Sequence, residues 1–329
     1  MDGVPDEVIM PTAVIAFGGN AFAPEDASGA HEEQAATVGR MAHVVTDLHQ
    51  RGYRVVVTHG NGPQVGALAI QQEECADVVP RQPLFVLDAM TQGQLGHLLT
   101  LGIRDLLDEP LPVAALITHV VVLSDDREFD HPTKPIGPFY EPAEAERLAR
   151  DRGWTVRRVS DRACRRVVAS PSPIEVLEVD SVRVLADAGV LVVAGGGGGV
   201  PVVRHDGGQM RGVEAVVDKD RVARVLATAL GAEVLVLVTG VPGVAVDFGT
   251  DRERQIEEMT VEEARAYLDE VQFPAGSMGP KVESAVEFVA AGGHLAVITS
   301  ERFVSAALDG RHGTRIVALP SRQQQAPVS

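Results

Sequence analysis

The stretch "YRVVVTHGNGPQVG", Tyr53 to Gly66, changes character halfway along. Its first half is a β-branched run, which reads as a buried strand. Gly60, Gly62 and Gly66 then break the run and open a helical segment. The same unit occurs earlier, where "TAVIAF" (Thr12 to Phe17) delivers the chain to "GGNAF". Beyond it Val38, Met41, Ala42, Val45, Leu48 and His49 recur at the spacing of an amphipathic helix. Further strands are predicted at "PVAALITHVVV" (112–122), "VLVVA" (190–194), "AEVLVLVTG" (232–240) and "HLAVITS" (294–300), the last three separated by helical stretches. A βαβαβ order predicts a parallel sheet with helices on both faces. Ligands of such sheets bind beyond the carboxyl ends of the strands, where these glycine loops lie.

The glycine loops point to an anion. In "GGN" (Gly18, Gly19, Asn20) and "HGNGPQVG" (His59 to Gly66) the backbone approaches a ligand closely and turns N–H groups toward it, and a following helix start adds its dipole. "GGGGGVP" (Gly195 to Pro201) ends a third strand in the same way, or forms a plain flexible turn. From Ser124 to about Ser172 the rhythm fails: charge clusters and prolines replace strand and helix patterns. This segment is expected to stand out from the sheet, as a substrate lid or as an ordinary surface insertion.

Composition excludes several classes of function. The 329 residues are 45% hydrophobic, with a mean hydropathy of +0.07, enough for a large core. A net charge of −17 disfavours nucleic acid and anionic membranes, so any bound phosphate needs a local positive site. Cys75 and Cys164 are too few and too far apart for a disulfide scaffold or a CxxC metal site, which suits the cytoplasm. "MDGVPDEVIMP" carries no signal-peptide pattern, and no apolar run approaches the ~20 residues of a membrane span. The tail "SRQQQAPVS" is expected to fray.

Of 29 basic residues only Lys134, Lys219 and Lys281 are lysine. Lysine is a compact, flexible point charge that arginine does not replace at a crowded site. Lys219 falls on the inward stripe of Val222, Val225, Leu226 and Ala229, with Asp218 and Asp220 beside it. A phosphate-binding amine and a structural ion pair both fit there. Lys281 stands at a helix start, backed by Val282, Ala285, Val286 and Val289, where ammonium and helix N-terminus coincide. Other chemistries fit less well. Gly60, Gly62 and Gly66 make only a variant dinucleotide fingerprint, and it follows the second strand. "AGSMG" lacks the first glycine of a nucleophile elbow, no Walker A sequence occurs, and the histidines lack metal-ligand spacing. His59 reads as a loop-shaping residue.

The blocks "AFGGNAF", "VVVTHGNGPQVG", "AMTQGQLGHLL", "DHPTKPIGPFY", "VVAGGGGGVPVV", "GVEAVVDKDRVA", "LVLVTGV" and "FPAGSMGPKVESAVEFV" resemble the carbamate kinases of the amino acid kinase family, in order, from about Thr12 to Val317. The resemblance implies one domain over 1–329, a three-layer α/β/α sandwich with a mainly parallel central sheet and a protruding lid subdomain at 124–172. It also implies a cytoplasmic homodimer that moves a phosphoryl group reversibly between carbamoyl phosphate and ADP, with Mg²⁺ accompanying the nucleotide, in arginine metabolism. Lys134, Lys219, Lys281 and Asp220 match the family's catalytic positions, Lys134 replacing a first-loop lysine whose place Ala16 takes here. Gly18, Gly19, Asn20, Gly60, Asn61, Gly62, Gly196 and Gly197 match its phosphate-binding loops. Thr239, Val241, Phe248, Met278 and Lys281 fall where the nucleotide is held, and no protein metal ligand is implied. Carbamate is already an oxyanion, so no general base is required. The chain departs from the family's pattern at Asp161, Ala163, Cys164, Ala169 and Ser172, in or beside the lid. This leaves room for a related carbamate or carboxylate substrate, and a silent nucleotide-binding regulatory module is a further alternative.

Overall fold

The computed structural model describes residues 10–18, 30–107, 111–273 and 277–318; Gly19 and Asn20 lie outside the described residues. The first half runs β1 (Thr12–Phe17), α1 (His31–Gln50), β2 (Arg54–His59), α2 (Gly62–Glu74), α3 (Leu84–Arg104), β3 (Val113–Ala115) and β4 (His119–Val121). An excursion follows, built of β5 (Lys134–Tyr140), α4 (Pro142–Arg152), β6 (Thr155–Ser160) and β7 (Ala163–Val168). The chain then continues through β8 (Glu175–Val176), α5 (Val179–Asp187), β9 (Leu191–Val193), β10 (Val200–Arg204) and β11 (Met210–Gly212). The last third holds α6 (Lys219–Leu230), β12 (Val234–Thr239), β13 (Val244–Val246), β14 (Arg254–Ile256), β15 (Glu258–Thr260), α7 (Val261–Asp269), α8 (Met278–Ala290), β16 (Leu295–Ser300), α9 (Val304–Leu308) and β17 (Thr314–Val317).

Eight strands form the central sheet in the order β15-β17-β16-β12-β1-β2-β9-β3. Every neighbouring pair is parallel except β16 with β17. The pleat sends alternate residues to opposite faces. Ala13, Ile15 and Phe17 of β1, with Val234, Val236 and Val238 of β12, pack under α1, α3 and α9. Val14 and Ala16, with Leu235 and Leu237, pack under α5, α6, α7 and α8. Two cores on one sheet make the α/β/α sandwich. β1 is buried along its whole length, as a strand covered on both faces must be, and so reads as an unbroken apolar run. Truncating a fully buried core residue such as Leu99 to alanine would cost about 2–5 kcal/mol.

Two parts of the sequence reading need correction. "PVAALITHVVV" is not one strand. Its first half, β3, is the edge of the central sheet, and its second half, β4, joins a separate sheet of order β11-β10-β4-β8. Thr118 makes the break, because its backbone N–H and hydroxyl both donate to Gln92 Oε1 and its carbonyl accepts from Gln92 Nε2 and the Val200 N–H. The excursion, in turn, has regular structure: a three-stranded antiparallel sheet, β5-β7-β6, with α4 against it. β6 is exposed along nearly all its length, so it carries no apolar alternation to betray it.

This small sheet is latched to α2. A Cβ on Gly66 would stand 2.0 Å from the backbone nitrogen of Gly137, so α2 and β5 meet backbone to backbone. Glu73, near the end of α2, accepts from Trp154 Nε1 at 3.0 Å, an Arg166 guanidinium nitrogen at 2.9 Å and an Arg152 nitrogen at 3.1 Å. Both guanidinium groups also lie over the Trp154 ring.

Candidate active site

The carboxyl ends of β12, β1, β2 and β9 lie side by side and carry Thr239, Gly18, the loop 60–62 and the glycine run 195–199. β1 is where successive connections part to opposite sides, the usual position of a ligand site in such sheets. Gly195 is fixed from two sides, by β2 and by the break before β4: its carbonyl accepts from Thr58 Oγ1 at 2.7 Å and its N–H donates to Thr118 Oγ1 at 2.9 Å. Gly197 sits at φ +67°, and a Cβ there would lie 2.3 Å from Asn61 Nδ2; one on Gly196 would lie 2.4 Å from His59 Nε2. The glycine run 195–199 is thus pressed onto the loop 60–62, in a conformation L-residues rarely adopt.

Two further close approaches bring in the lysines. A Cβ on Gly198 would stand 2.1 Å from the Val217 carbonyl, one residue before Asp218, and one on Gly62 would stand 3.6 Å from the Pro135 carbonyl, one residue after Lys134. Asp218 caps α6, its Oδ1 accepting from the N–H groups of Asp220 and Arg221, while its Oδ2 takes Lys134 Nζ at 2.5 Å. Asp220 bridges the other two amines: Oδ1 accepts from Lys219 Nζ and Oδ2 from Lys281 Nζ, each at 2.6 Å. The three lysines, from the excursion, α6 and α8, therefore converge on two carboxylates two residues apart. Three ammonium groups against two carboxylates leave the cluster one charge positive inside a protein of net charge −17.

Burial opposes charge on Asp218, Asp220, Lys219 and Lys281. For Asp218 and Asp220 the surrounding lysines overcome it and hold both carboxyls below the ordinary carboxylate range. For Lys219 burial prevails over the pull of Asp220, with repulsion from Lys281 added, and its pKa drops to about 8. Lys281 moves the opposite way: Asp220 more than offsets its burial and raises it. Of these two amines Lys219 is the nearer to losing its proton. His59, fully buried with a pKa of about 4, is neutral and shapes the loop.

The residues expected from the sequence to hold the nucleotide are more scattered. Thr239 is half-buried at the end of β12, beside Gly18, whose Cβ would lie 3.3 Å from the Val238 carbonyl. Val241 and Phe248 are exposed, at 39% and 63%, around the β13–β14 hairpin. Met278 begins α8, three residues before Lys281 and earlier than the helix start placed by sequence; Pro274–Gly276, which precede it, lie outside the described residues. Of the five departures from the family pattern, Ala169 approaches the lysines: its carbonyl accepts from the Val216 N–H, two residues before Asp218.

Sequence reasoning did not single out Asp88, Thr91, Gln92 or Thr118. All four are buried and brace the two loops. Asp218 was noted only as a neighbour of Lys219, and its pairing with Lys134 across 84 residues left no local signal.

An α/β sandwich with glycine loops and buried lysines at its switch point is built to hold phosphates. A model of the amino acid kinase family matches residues 11–300. A carbamate kinase of Pyrococcus furiosus is 41% identical over 309 residues, covering 92% of this chain and 98% of that one. A carbamate kinase from Giardia lamblia bound to citric acid has the same fold, with a TM-score of 0.90 at 37% identity over 94% of this chain and 99% of that one. The Giardia lamblia enzyme bound to AMP-PNP gives 0.85 at 38% identity, with the same coverage. The chain belongs to the amino acid kinase family, among its carbamate kinases.

Proposed function

We infer that this protein is a phosphotransferase that moves a phosphoryl group between ATP and carbamate, reversibly through carbamoyl phosphate and ADP. The observation that carries the reading is the convergence of Lys134, Lys219 and Lys281 on Asp218 and Asp220 beside the two glycine loops. In the ATP-forming direction a β-phosphate oxygen of ADP attacks the phosphorus of carbamoyl phosphate, the bond from phosphorus to the carbamoyl oxygen breaks, and carbamate leaves as an anion. No proton need move, so the chain's task is to align two anions and offset their charge. Loop N–H groups of 18–20, 61–62 and 196–197 are assigned to the phosphoryl group, with Gly60 shaping its loop through the bond of its N–H to the Phe17 carbonyl; Lys134 is assigned to carbamoyl phosphate, and Lys219 and Lys281 to the oxygens shared with the nucleotide. Thr239, Val241, Phe248 and Met278 are assigned to ADP, and that a nucleotide is the substrate is supported by the AMP-PNP bound to the related Giardia lamblia enzyme.

Magnesium fits as part of the nucleotide substrate. Among the described residues no group of three or more acidic, histidine or cysteine side chains gathers to hold a metal, and Asp218 and Asp220 are both spent on lysines. A metal carried on nucleotide phosphates needs few protein ligands. Segment 124–172 is assigned as the lid over carbamoyl phosphate, latched through Glu73. A homodimer is proposed through the sheet edge at β3, where Leu101 and Ile117 are 48% and 45% exposed beside a cavity of about 480 Å³. The cytoplasm is the proposed compartment, in keeping with two unpaired cysteines; among the described residues no helix is long and apolar enough to cross a membrane. A coupled assay of ATP formation from ADP across a panel of acyl phosphates tests the function. Carbamoyl phosphate should give the highest kcat/KM, and a clear preference for acetyl phosphate would transfer the assignment to a carboxylate kinase.

A further inference from the structure

α3 carries a polar stripe that the proposed reaction does not use. Asp88 and Thr91 are fully buried, and Gln92 is nearly so. Asn61 Nδ2 donates to Asp88 Oδ1 at 3.0 Å and to Thr91 Oγ1 at 2.9 Å, and the Thr91 hydroxyl donates to the Asp88 carbonyl at 2.8 Å. Both hydrogens of the Asn61 amide are therefore turned inward to α3. The Gly60 N–H is tied back to the Phe17 carbonyl, so what the loop presents to an anion is the peptide N–H groups of Asn61 and Gly62, with the amide as the anchor beneath them. One turn on, Gln92 holds Thr118, and the Thr118 hydroxyl holds the N–H of Gly195. One face of one helix thus sets both glycine loops.

We propose that Asp88 is a positioning residue for phosphoryl transfer, which together with Thr91 locks the Asn61 amide and so fixes the loop 60–62 against the transferred group. The inference rests on the phosphotransferase reading. Its chemistry asks that Asp88 be uncharged, since a carboxylate beneath a phosphate loop would repel the ligand. The surroundings agree. Among the described residues Asp88 Oδ2 has no hydrogen-bond partner, a costly state for a buried anion. Burial raises its pKa well above the ordinary carboxylate value, and Glu214, whose carboxylate accepts from the Leu84 N–H at the start of α3, adds negative charge that raises it further against the opposing Asn61 hydrogen bond.

Three variants test this. Asp88→Asn keeps an acceptor for Asn61 without a charge, Asp88→Ala removes the acceptor, and Thr91→Val removes the second one. Asp88→Ala should lower kcat for ATP formation about 10- to 100-fold with the KM for ADP within about twofold, the signature of misplaced donors. Asp88→Asn should keep kcat within about threefold of the parent, and Thr91→Val should fall between. Two readouts do not depend on turnover. Hydrogen exchange of the peptide spanning 56–66 should quicken in Asp88→Ala and not in Asp88→Asn, and the infrared difference between parent and Asp88→Asn at pH 8 should show a protonated carboxyl band. Asp88→Asn as impaired as Asp88→Ala, or parent-like turnover and exchange in both Asp88→Ala and Thr91→Val, would overturn the proposal. If Asp88→Ala does not fold, Thr91→Val carries the same test. A parent that makes no ATP would count against the phosphotransferase reading alone, with exchange and infrared still deciding on Asp88.

Discussion

Replacing Asp220 by asparagine keeps the shape of the side chain and removes the one charge between Lys219 and Lys281. Each ammonium lies 2.6 Å from its own carboxylate oxygen, and none of the three side chains is more than 10% exposed. At an effective dielectric of about 20, unit charges about 3 Å apart attract by about 5–6 kcal/mol. Desolvation offsets part of this, and removing one partner of a buried pair costs about 3–5 kcal/mol. Such a loss is a large share of a typical stability of about 5–15 kcal/mol. Lys219 limits the damage by shedding its proton: its pKa is already about 8 with Asp220 present and falls further without it. In the variant this folded pKa lies below the unfolded value of 10.5. The unfolded chain then binds more protons between the two, so stability rises with pH across that window. The penalty of Asp220→Asn should therefore be largest near pH 6 and shrink toward pH 9. Urea unfolding followed by circular dichroism at both pH values measures it. Turnover should fall about 100-fold at pH 8, where Lys219 has become neutral, and recover in part toward pH 6. Parent-like unfolding and turnover, or a penalty that does not change with pH, would refute the reasoning.

Lys134→Met should cut turnover of carbamoyl phosphate about 100-fold while calorimetric affinity for ADP stays within about threefold, because the amine reaches the cluster from the excursion; equal losses in both would place Lys134 in the nucleotide site. Gly197→Ala forces a Cβ into Asn61 at φ +67° and should destabilise the fold by at least about 1–3 kcal/mol in urea unfolding, with activity falling further than stability. Glu73→Ala removes the acceptor shared by Trp154, Arg166 and Arg152. Hydrogen exchange should quicken across 134–168 with ADP affinity unchanged, whereas unaltered exchange there would show that Glu73 is no latch.

Much of this architecture is legible in the sequence because its strands are buried on both faces and so read as apolar runs. "TAVIAF" and "VLVLVT" need no alternation to be recognised, and the glycines that follow them mark the ligand end of the sheet. The three lysines are visible for a different reason: in an arginine-rich chain each is a departure from the background. Long-range pairing is not legible. Nothing near Lys134 announces Asp218, and nothing in "LDAMTQ" says that Asp88 lies beneath Asn61, since both contacts exist only once distant segments pack. The excursion hides its strands because β6 faces solvent, where arginine serves as well as any β-branched residue. Strand β3 merges with β4 in the sequence because the break at Thr118 depends on a glutamine from α3.

Phosphorus nuclear magnetic resonance of the purified protein with carbamoyl phosphate, ADP and magnesium follows the transferred group itself. The account predicts that the carbamoyl phosphate signal is replaced by the γ-phosphate of ATP, with inorganic phosphate accumulating no faster than without protein, and that Lys134→Met, Lys219→Met and Lys281→Met each slow the exchange by about 100-fold or more in folded protein. Carbamoyl phosphate consumed only to inorganic phosphate, or ATP formed at the parent rate by all three variants, would contradict it.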